Sequence, residues 1–417
     1  MKKSSGTNKP CALLWDESFL WGIMSFKALK TSGLQFDFVR AEDIRNGILN
    51  NYKMLFVPGG WASNKIKSLG EKGVEEIRRF VQSGGNYLGF CGGAGLATLD
   101  GIGLLNIKRV PTKDRVPSFS GQASFDLAKH PIWGDNTGLV GPIFHVWWPS
   151  QFSIADTSIN ILSKYDRALP DSFSSDLNVG DIMKSHGNWE SLEQAYGINL
   201  DPFRLSGQPA VVEGNFGNGK VILSLIHFDT PEDKNGAVVL KNLWKYLAGV
   251  VTISCDKIKM PDQENTAHFD FGVSELLTAV DELIACGERN FLWFWRNPVL
   301  LQWRRGIRGL EYCTLYGMIK TVAEYSHIMI DDIVLFRRQV NSVIELLLPF
   351  KEKAERLLLL EKKALHDGHR ITYEKSDDSE IMQLRQELFA NSKSYGGMFK
   401  KLLDRIDSVL FGLLRTA

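Results

Sequence analysis

Short apolar runs alternate with amphipathic segments along the first hundred residues. The apolar runs have the length of buried strands, and they cover residues 11–15, 36–39, 53–57 and 86–90. Helical spacing of apolar positions separates them at residues 19–30 and 71–82, and Gly84 and Gly85 end the second helix. Strands that alternate with helices in this way predict a parallel sheet with right-handed crossovers.

The pattern is less regular from residue 100 to residue 208, where Gly, Pro, Ser and Asp are frequent and the apolar pieces are short. We expect irregular β-structure and loops there. Regular spacing returns at residues 210–213 and 220–226, and the glycine-rich residues between them predict a hairpin. An amphipathic helix over residues 236–247 closes this region near residue 250.

Long helical periodicity with few helix-breaking residues begins near residue 271. It predicts an antiparallel bundle of helices over residues 272–287, 298–325, 328–365, 378–392 and 397–414. Pro298 suits the first turn of its helix, and Pro349 predicts a kink in the longest helix. The predicted organisation is a disordered N-terminus (1–10), an α/β domain (11–250), a linker (251–270) and an all-α helical bundle domain (271–417).

The distribution of glycine supports two architectures within one chain. Residues 1–250 hold 29 of the 38 glycines and 11 of the 14 prolines, and residues 251–417 hold the rest. Charge is balanced, because 49 Lys and Arg residues against 48 Asp and Glu residues give a net charge of +1. This balance does not favour binding to nucleic acid.

The five cysteines are scattered and have no CxxC spacing, which argues against a disulfide framework and a cysteine zinc site. We therefore expect no metal, no cofactor and a reducing, cytoplasmic location. Residues 1–10 are polar and basic, and no apolar run of signal-peptide length follows them. The chain contains no stretch of 18 apolar residues, so we expect no transmembrane segment.

A cysteine stands at the predicted turn between the strand 86–90 and the helix that follows. Gly92 and Gly93 would let the backbone bend sharply beside Cys91. The thiol would project from the strand end at a helix N-terminus, whose positive end stabilises a thiolate. The N–H group of Gly92 would face a developing oxyanion, and the loop that contains Gly59 and Gly60 offers a second donor.

A histidine follows the predicted strand 220–226 directly. His227 would act as the base for Cys91, and Asp229 would orient its imidazole through the other ring nitrogen. Glu232 is the alternative acid. A buried inert thiol and a structural histidine are the simpler interpretations of Cys91 and His227 taken separately. Their positions at two predicted strand ends favour a shared pocket.

Three further residues are candidates for the wall of this pocket. Asp16 follows the first predicted strand, and Trp61 follows the loop that contains Gly60. His145 lies in the short apolar piece 143–148. For Trp61 and His145, packing in the core or in a sheet is an equally good interpretation.

Three segments resemble a known family. Residues 55–65, 77–97 and 217–232 resemble the class I glutamine amidotransferase-like superfamily, in particular the domain at the N-terminus of biotin-protein ligases. The resemblance covers about residues 10–250 and implies a flavodoxin-like sheet with a nucleophile elbow. It also implies a Cys-His-Glu triad that releases ammonia from glutamine through a thioester. Cys91 and His227 match this triad, but the usual His-Pro-Glu is His227-Phe228-Asp229 here.

Two functions are compatible with these residues. One is an enzyme that hydrolyses a small amide or related acyl substrate through Cys91, His227 and Asp229. The other is a non-catalytic ligand-binding or scaffold module whose helical domain binds a partner.

Aromatic and arginine side chains in the helical part are candidates for a partner surface. They are Trp293, Trp295, Trp303 and Arg304. The simpler interpretation is that they fill a seam between the two domains. Peripheral contact with a membrane is the weaker alternative, because 23 basic and 24 acidic residues leave residues 251–417 with a net charge near −1.

Overall fold

The computed structural model describes residues 9–134, 139–249, 272–328, 333–369, 371–390 and 394–416. The predicted linker and residues 1–8 of the predicted disordered N-terminus lie outside these ranges. Residues 9 and 10 belong to the first strand, so the prediction of disorder is wrong for them. The chain divides into two compact units, Met1–Lys257 and Ile258–Ala417.

The first unit alternates strands and helices and then adds a strand-rich segment. Its strands are β1 (Lys9–Leu14), β2 (Asp37–Val39), β3 (Tyr52–Val57), β4 (Asn86–Phe90), β5 (Ile107–Arg109), β6 (Phe119–Leu127), β7 (Ile143–Trp147), β8 (Phe152–Ile154), β9 (Asn160–Ala168), β10 (Phe173–Ser174), β11 (Leu177–Asn178), β12 (Pro209–Phe216) and β13 (Gly219–Ser224). Its α-helices are α1 (Phe19–Thr31), α2 (Ala41–Arg45), α3 (Ala62–Gln82), α4 (Gly92–Leu96), α5 (Val179–Lys184), α6 (Trp189–Tyr196) and α7 (Lys234–Ala248).

A five-stranded parallel sheet forms the centre of this unit, in the order β2-β1-β3-β4-β13. This is the flavodoxin-like strand order. Successive residues of β1 alternate between two buried clusters: Leu13 packs with residues of α1 and α7, and Leu14 with residues of α3 and α4. Helices therefore cover both faces of the sheet, and the predicted α/β fold is confirmed.

The sheet is mixed and not purely parallel. Beyond β13 it continues through the antiparallel strands β12, β9, β6, β10 and β11, and β7 also pairs with β6. Residues 100–208, predicted as irregular, supply most of this extension. Its register shifts between Ser124 and Phe125 and again between Pro209 and Val212. Such bulges break the period of two that identifies a strand in a sequence.

Helix α3 begins earlier than predicted. The sequence pattern indicated residues 71–82, whereas the helix covers Ala62–Gln82. Gly70 lies within it with φ 62° and ψ 178°, which is not helical backbone. This break shifts the helical phase, so only the part after Gly70 shows a continuous apolar face in the sequence.

The second unit consists of helices and one hairpin. Its elements are α8 (Val273–Arg289), β14 (Trp293–Asn297), β15 (Leu300–Trp303), α9 (Gly309–Tyr325), α10 (Ile333–His366), α11 (Ser379–Phe389) and α12 (Gly397–Thr416). None of the described helices in the chain is both long and apolar enough to cross a membrane.

The hairpin corrects two predictions. The second unit is not all-α, and the helix predicted over residues 298–325 begins only at Gly309. Pro298 occupies the turn of the hairpin, where the side chain of Asn297 accepts hydrogen bonds from the amides of Val299 and Leu300 at 2.9 Å each. The large aromatic residues before this turn favour strand over helix. Helix α10, in contrast, continues through Pro349 as one element.

Candidate active site

Three neighbouring parallel strands end at the same edge of the sheet. Val57 in β3 pairs with Gly89 in β4, and Phe90 in β4 pairs with Ser224 in β13. The glycine loop follows β3, Cys91 follows β4 directly, and His227 lies three residues after β13. The carboxyl ends of parallel strands are where α/β sheets bind ligands. The sheet thus brings the predicted nucleophile, base and oxyanion loop to one edge.

Cys91 forms a strained elbow between β4 and α4. Its backbone has φ 47° and ψ −102°, and its amide donates a 2.8 Å hydrogen bond to the carbonyl of Ser224. A positive φ costs a non-glycine residue on the order of 1–3 kcal/mol, and the surrounding structure must compensate for it. The side chain is half-buried, and its Sγ lies 4.0 Å from the carbonyl oxygen of Trp147.

The elbow touches the loop after β3 through backbone alone. A Cβ atom on Gly92 would lie 1.7 Å from the carbonyl oxygen of Gly60, so only glycine fits there. Gly59 and Gly93 are equally confined, by the ring of Trp21 and by the end of the β3 backbone. Among the described residues, the N–H groups of Gly60 and Gly92 have no hydrogen-bond acceptor. Two backbone donors are therefore available beside Cys91 for an oxyanion.

The imidazole of His227 is held by a buried carboxylate. Its Nδ1 atom lies 2.9 Å from Oδ1 of Asp229, and both side chains are fully buried. The other carboxylate oxygen of Asp229 accepts a 2.5 Å hydrogen bond from the hydroxyl of Ser25, which helix α1 contributes. Ser25 is fully buried as well. Both oxygens of Asp229 thus have a partner, and the carboxylate is fixed toward Nδ1.

Opposing effects act on the pKa of His227. Burial lowers this pKa, whereas the Asp229 carboxylate and the Cys91 thiol raise it, to about 9 in total. The imidazole is therefore protonated at neutral pH. Its buried Nε2 atom has no hydrogen-bond partner in the described part of the chain. One N–H group thus remains for the Cys91 sulfur or for a substrate.

Aromatic rings and a threonine enclose the imidazole. The ring of Trp21 lies over that of His227, with 4.8 Å between centroids and an angle of 30°. The indole N–H of Trp147 donates to the hydroxyl of Thr230 at 3.0 Å, and that hydroxyl donates to the carbonyl of His227 at 2.9 Å. The amide of His227 donates to the carbonyl of His145 at 2.9 Å. Strand β7 thus holds the turn that carries the histidine.

The two candidate acids are clearly separated. Asp229 contacts Nδ1 of His227, whereas the alternative acid Glu232 is exposed, with φ 67°, and makes no hydrogen bond to His227. The sequence analysis overlooked Asp233. Its Oδ2 lies 2.7 Å from Nδ1 of His145, a half-buried residue whose ring stacks on Trp147.

The remaining wall candidates have structural contacts of their own. The carboxylate of Asp16 accepts a 2.7 Å hydrogen bond from the amide of Ala41 at the start of α2 and contacts Arg40. Trp61 is half-buried and precedes α3 as its N-cap residue. In the described ranges, no group of three or more His, Cys, Asp or Glu side chains could hold a metal ion.

The sequence analysis missed the residues that support the triad. Ser25, Trp21, Trp147 and Thr230 are distant from Cys91 and His227 in sequence, and their types suggest no chemistry. Ser25 left one signal: it is a polar residue at the centre of an otherwise apolar run in α1. A small polar residue that is buried on such a helix needs a hydrogen-bond partner, which is here Asp229.

Residues 40–100 match the family model described as Biotin-protein ligase, N terminal. The matched range contains the glycine loop and Cys91 and ends before His227. The resemblance predicted from the sequence is thus confirmed over these residues. No curated protein matches the chain significantly.

Several solved structures share parts of the fold at low identity. A protein assigned to the GMP synthase subunits, from Thermoplasma acidophilum, is 12% identical, with 58% of this chain and 95% of that chain covered and a TM-score of 0.38. A ThuA-like protein from Bacteroides uniformis is 10% identical, with 59% and 94% covered and a TM-score of 0.36. A β-galactosidase from Bacillus circulans sp. alkalophilus is 15% identical, with 59% and 32% covered and a TM-score of 0.35. Similarity at this level carries no inference about a reaction.

The aromatic residues of the second unit pack mostly within that unit. Trp293 is buried against Tyr312, and its indole N–H donates to the carbonyl of Ile284 at 3.0 Å. Trp295 and Trp303 are half-buried, whereas Arg304 is exposed. A partner surface formed by these four residues stays a prediction.

Proposed function

We propose that the first unit is a cysteine-dependent hydrolase or acyl transferase that cleaves a small amide. The observation that carries the proposal is the buried His227–Asp229 pair beside the strained Cys91 elbow. A protonated imidazole with a carboxylate on Nδ1 and an unpartnered Nε2 is the arrangement that favours a thiolate nucleophile.

The reaction would run through a thioester. The Cys91 thiolate attacks the carbonyl carbon, and the N–H groups of Gly60 and Gly92 stabilise the oxyanion. As the C–N bond breaks, the imidazolium of His227 gives its proton to the leaving nitrogen, which departs as ammonia or an amine. His227, now neutral, takes a proton from water, and the resulting hydroxide cleaves the C–S bond to release the carboxylic acid and the thiol. Asp229 keeps the imidazole oriented throughout.

The first experiment measures the reactivity of Cys91. Alkylation by iodoacetamide at neutral pH, with the modified peptide identified by mass spectrometry, is expected to be faster at Cys91 than at free cysteine. His227→Gln is expected to slow it at least about tenfold, because the thiolate loses its imidazolium. Ser25→Ala is expected to slow it about two- to tenfold, since a hydrogen bond of about 0.5–1.5 kcal/mol orients Asp229. Ser32→Ala, a buried serine at the end of the same helix, is the control.

The second experiment tests turnover. Small primary amides are offered to the full chain, ammonia release is measured, and hydroxylamine is added to convert a thioester at Cys91 into a hydroxamate. Alkylation of Cys91 no faster than that of free cysteine would contradict the proposal. If Cys91 is reactive and yet no amide yields ammonia or hydroxamate, the alternative function is favoured: a module that binds a ligand without turnover.

A further inference from the structure

One arginine lies close to the proposed nucleophile. Arg115 precedes β6 and donates a 2.6 Å hydrogen bond from Nη1 to the carbonyl of Pro149. The carbonyl of Trp147, only two residues earlier, is the one that lies 4.0 Å from Sγ of Cys91. Carbonyl groups two residues apart are separated by at most about 7 Å. The guanidinium and the thiol therefore lie on two sides of the same short segment.

The charge of Arg115 is not neutralised by the protein. Among the described residues it makes no ion pair, and its hydrogen bond to Pro149 is its only one. A guanidinium has five N–H donors, so most of them are available to a ligand. Burial lowers the pKa of Arg115, the charge of Cys91 raises it, and Arg109 lowers it again. Arg115 and Cys91 are thus close enough to interact electrostatically.

The neighbouring charges leave a positive region at this side of the site. The thiolate of Cys91 and the imidazolium of His227 neutralise each other, and Arg109 interacts with Asp100 at 3.8 Å. Arg115 is half-buried, so its desolvation is not fully compensated unless an anion binds. The planar guanidinium fork matches a carboxylate in two parallel hydrogen bonds.

We propose that Arg115 is a specificity-determining residue that selects substrates with a carboxylate in addition to the scissile amide. The substrate class is then an anionic amide, such as the monoamide of a dicarboxylic acid. This inference rests on the proposed function, because it assumes that Cys91 is the nucleophile.

Two alkylating reagents of nearly the same size test it. Iodoacetate carries a carboxylate and iodoacetamide is neutral, so the ratio of their rate constants at Cys91 reports the attraction of an anion. The ratio in the native chain is expected to exceed that of free cysteine and to fall with added salt. Arg115→Gln is expected to lower the ratio at least fivefold. Arg78→Gln is the matched control, because the Arg78 guanidinium also binds backbone carbonyls, at Ile102 and Gly103.

The outcomes separate the two proposals. If Cys91 reacts with both reagents no faster than free cysteine does, the proposed function fails and this inference fails with it. If Cys91 reacts rapidly but Arg115→Gln changes the ratio less than twofold, only the role of Arg115 is refuted. Should Arg115→Gln not fold, the native chain decides: a ratio no higher than that of free cysteine and insensitive to salt overturns the inference.

Discussion

Replacing Asp229 by Asn tests the electrostatics of the buried pair. The change keeps the size of the side chain and one oxygen that can accept a hydrogen bond, but it removes the negative charge next to His227. In the native chain this charge and the Cys91 thiol outweigh burial and raise the pKa of His227 to about 9. In Asp229→Asn burial dominates, and the imidazole is expected to be neutral in the folded protein at neutral pH.

The size of the effect follows from the pKa difference between folded and unfolded states. An unfolded histidine titrates near 6.5, so binding of the proton stabilises the fold by about 3 kcal/mol. Because the folded pKa is the higher one, this stabilisation is complete below about pH 6.5 and is lost as the pH rises through 9. The loss is expected to disappear in Asp229→Asn.

Chemical denaturation between about pH 6 and pH 10 measures this difference. Over that range, the free energy of unfolding of the first unit is expected to decrease by about 3 kcal/mol more in the native chain than in Asp229→Asn. Asp233→Asn is the matched control. Asp233 forms the second His–Asp contact of the unit, to the half-buried His145, and Asn preserves its capping of α7.

Two results would refute this reasoning. One is an equal pH dependence of unfolding in the native chain and in Asp229→Asn. The other is an NMR titration of the native chain in which the imidazole of His227 loses its proton below pH 7. Either would mean that the ring is neutral in the resting protein and that Cys91 has no imidazolium to stabilise its thiolate.

Two further predictions concern stability. Gly92→Ala is expected to lower the free energy of unfolding by at least about 2 kcal/mol, because the new Cβ would overlap the carbonyl of Gly60 and neither backbone can yield. In the second unit, Arg385→Met is expected to cost about 3–5 kcal/mol, because it leaves Glu361 buried without the guanidinium that now binds it at 2.6 Å. Denaturation curves check both changes.

Matched variants make these predictions specific. Gly412→Ala, in an exposed position of α12 where a Cβ meets nothing within 4 Å, is expected to be neutral or slightly stabilising. Arg356→Met removes the exposed pair of Arg356 with Glu380 and is expected to cost less than about 1 kcal/mol. If each variant and its control cost the same, burial and steric overlap do not determine these effects.

The elements of the parallel sheet were predictable because each is local. Strand β4 and the turn at Cys91 are specified by adjacent residues: an apolar run, glycines and a cysteine. His227 was found in the same way, since it follows a strand whose apolar pattern is continuous. The order of the strands was not read from composition or periodicity, and the flavodoxin-like sheet was expected only from the family resemblance.

The remainder depends on contacts between distant residues. Ser25 reaches Asp229 across 204 positions, and nothing in the local sequence of either residue indicates the other. The antiparallel extension was obscured by its bulges, and the hairpin β14–β15 by an apolar spacing that suits a helix as well as a strand. In these places tertiary packing outweighs the local signal, and periodicity alone cannot resolve the structure.

The contacts of Asp229 explain how an aspartate can stand where the related proteins carry a glutamate. Asp229 is only two residues from His227, in a turn closed by the hydrogen bond from the Thr230 amide to the His227 carbonyl at 3.1 Å. Its short side chain therefore reaches Nδ1 without crossing a loop. Ser25 then occupies the second oxygen, so the carboxylate has one orientation. A glutamate here would need a different backbone path, so the shorter acid and the serine on α1 are best understood as one unit.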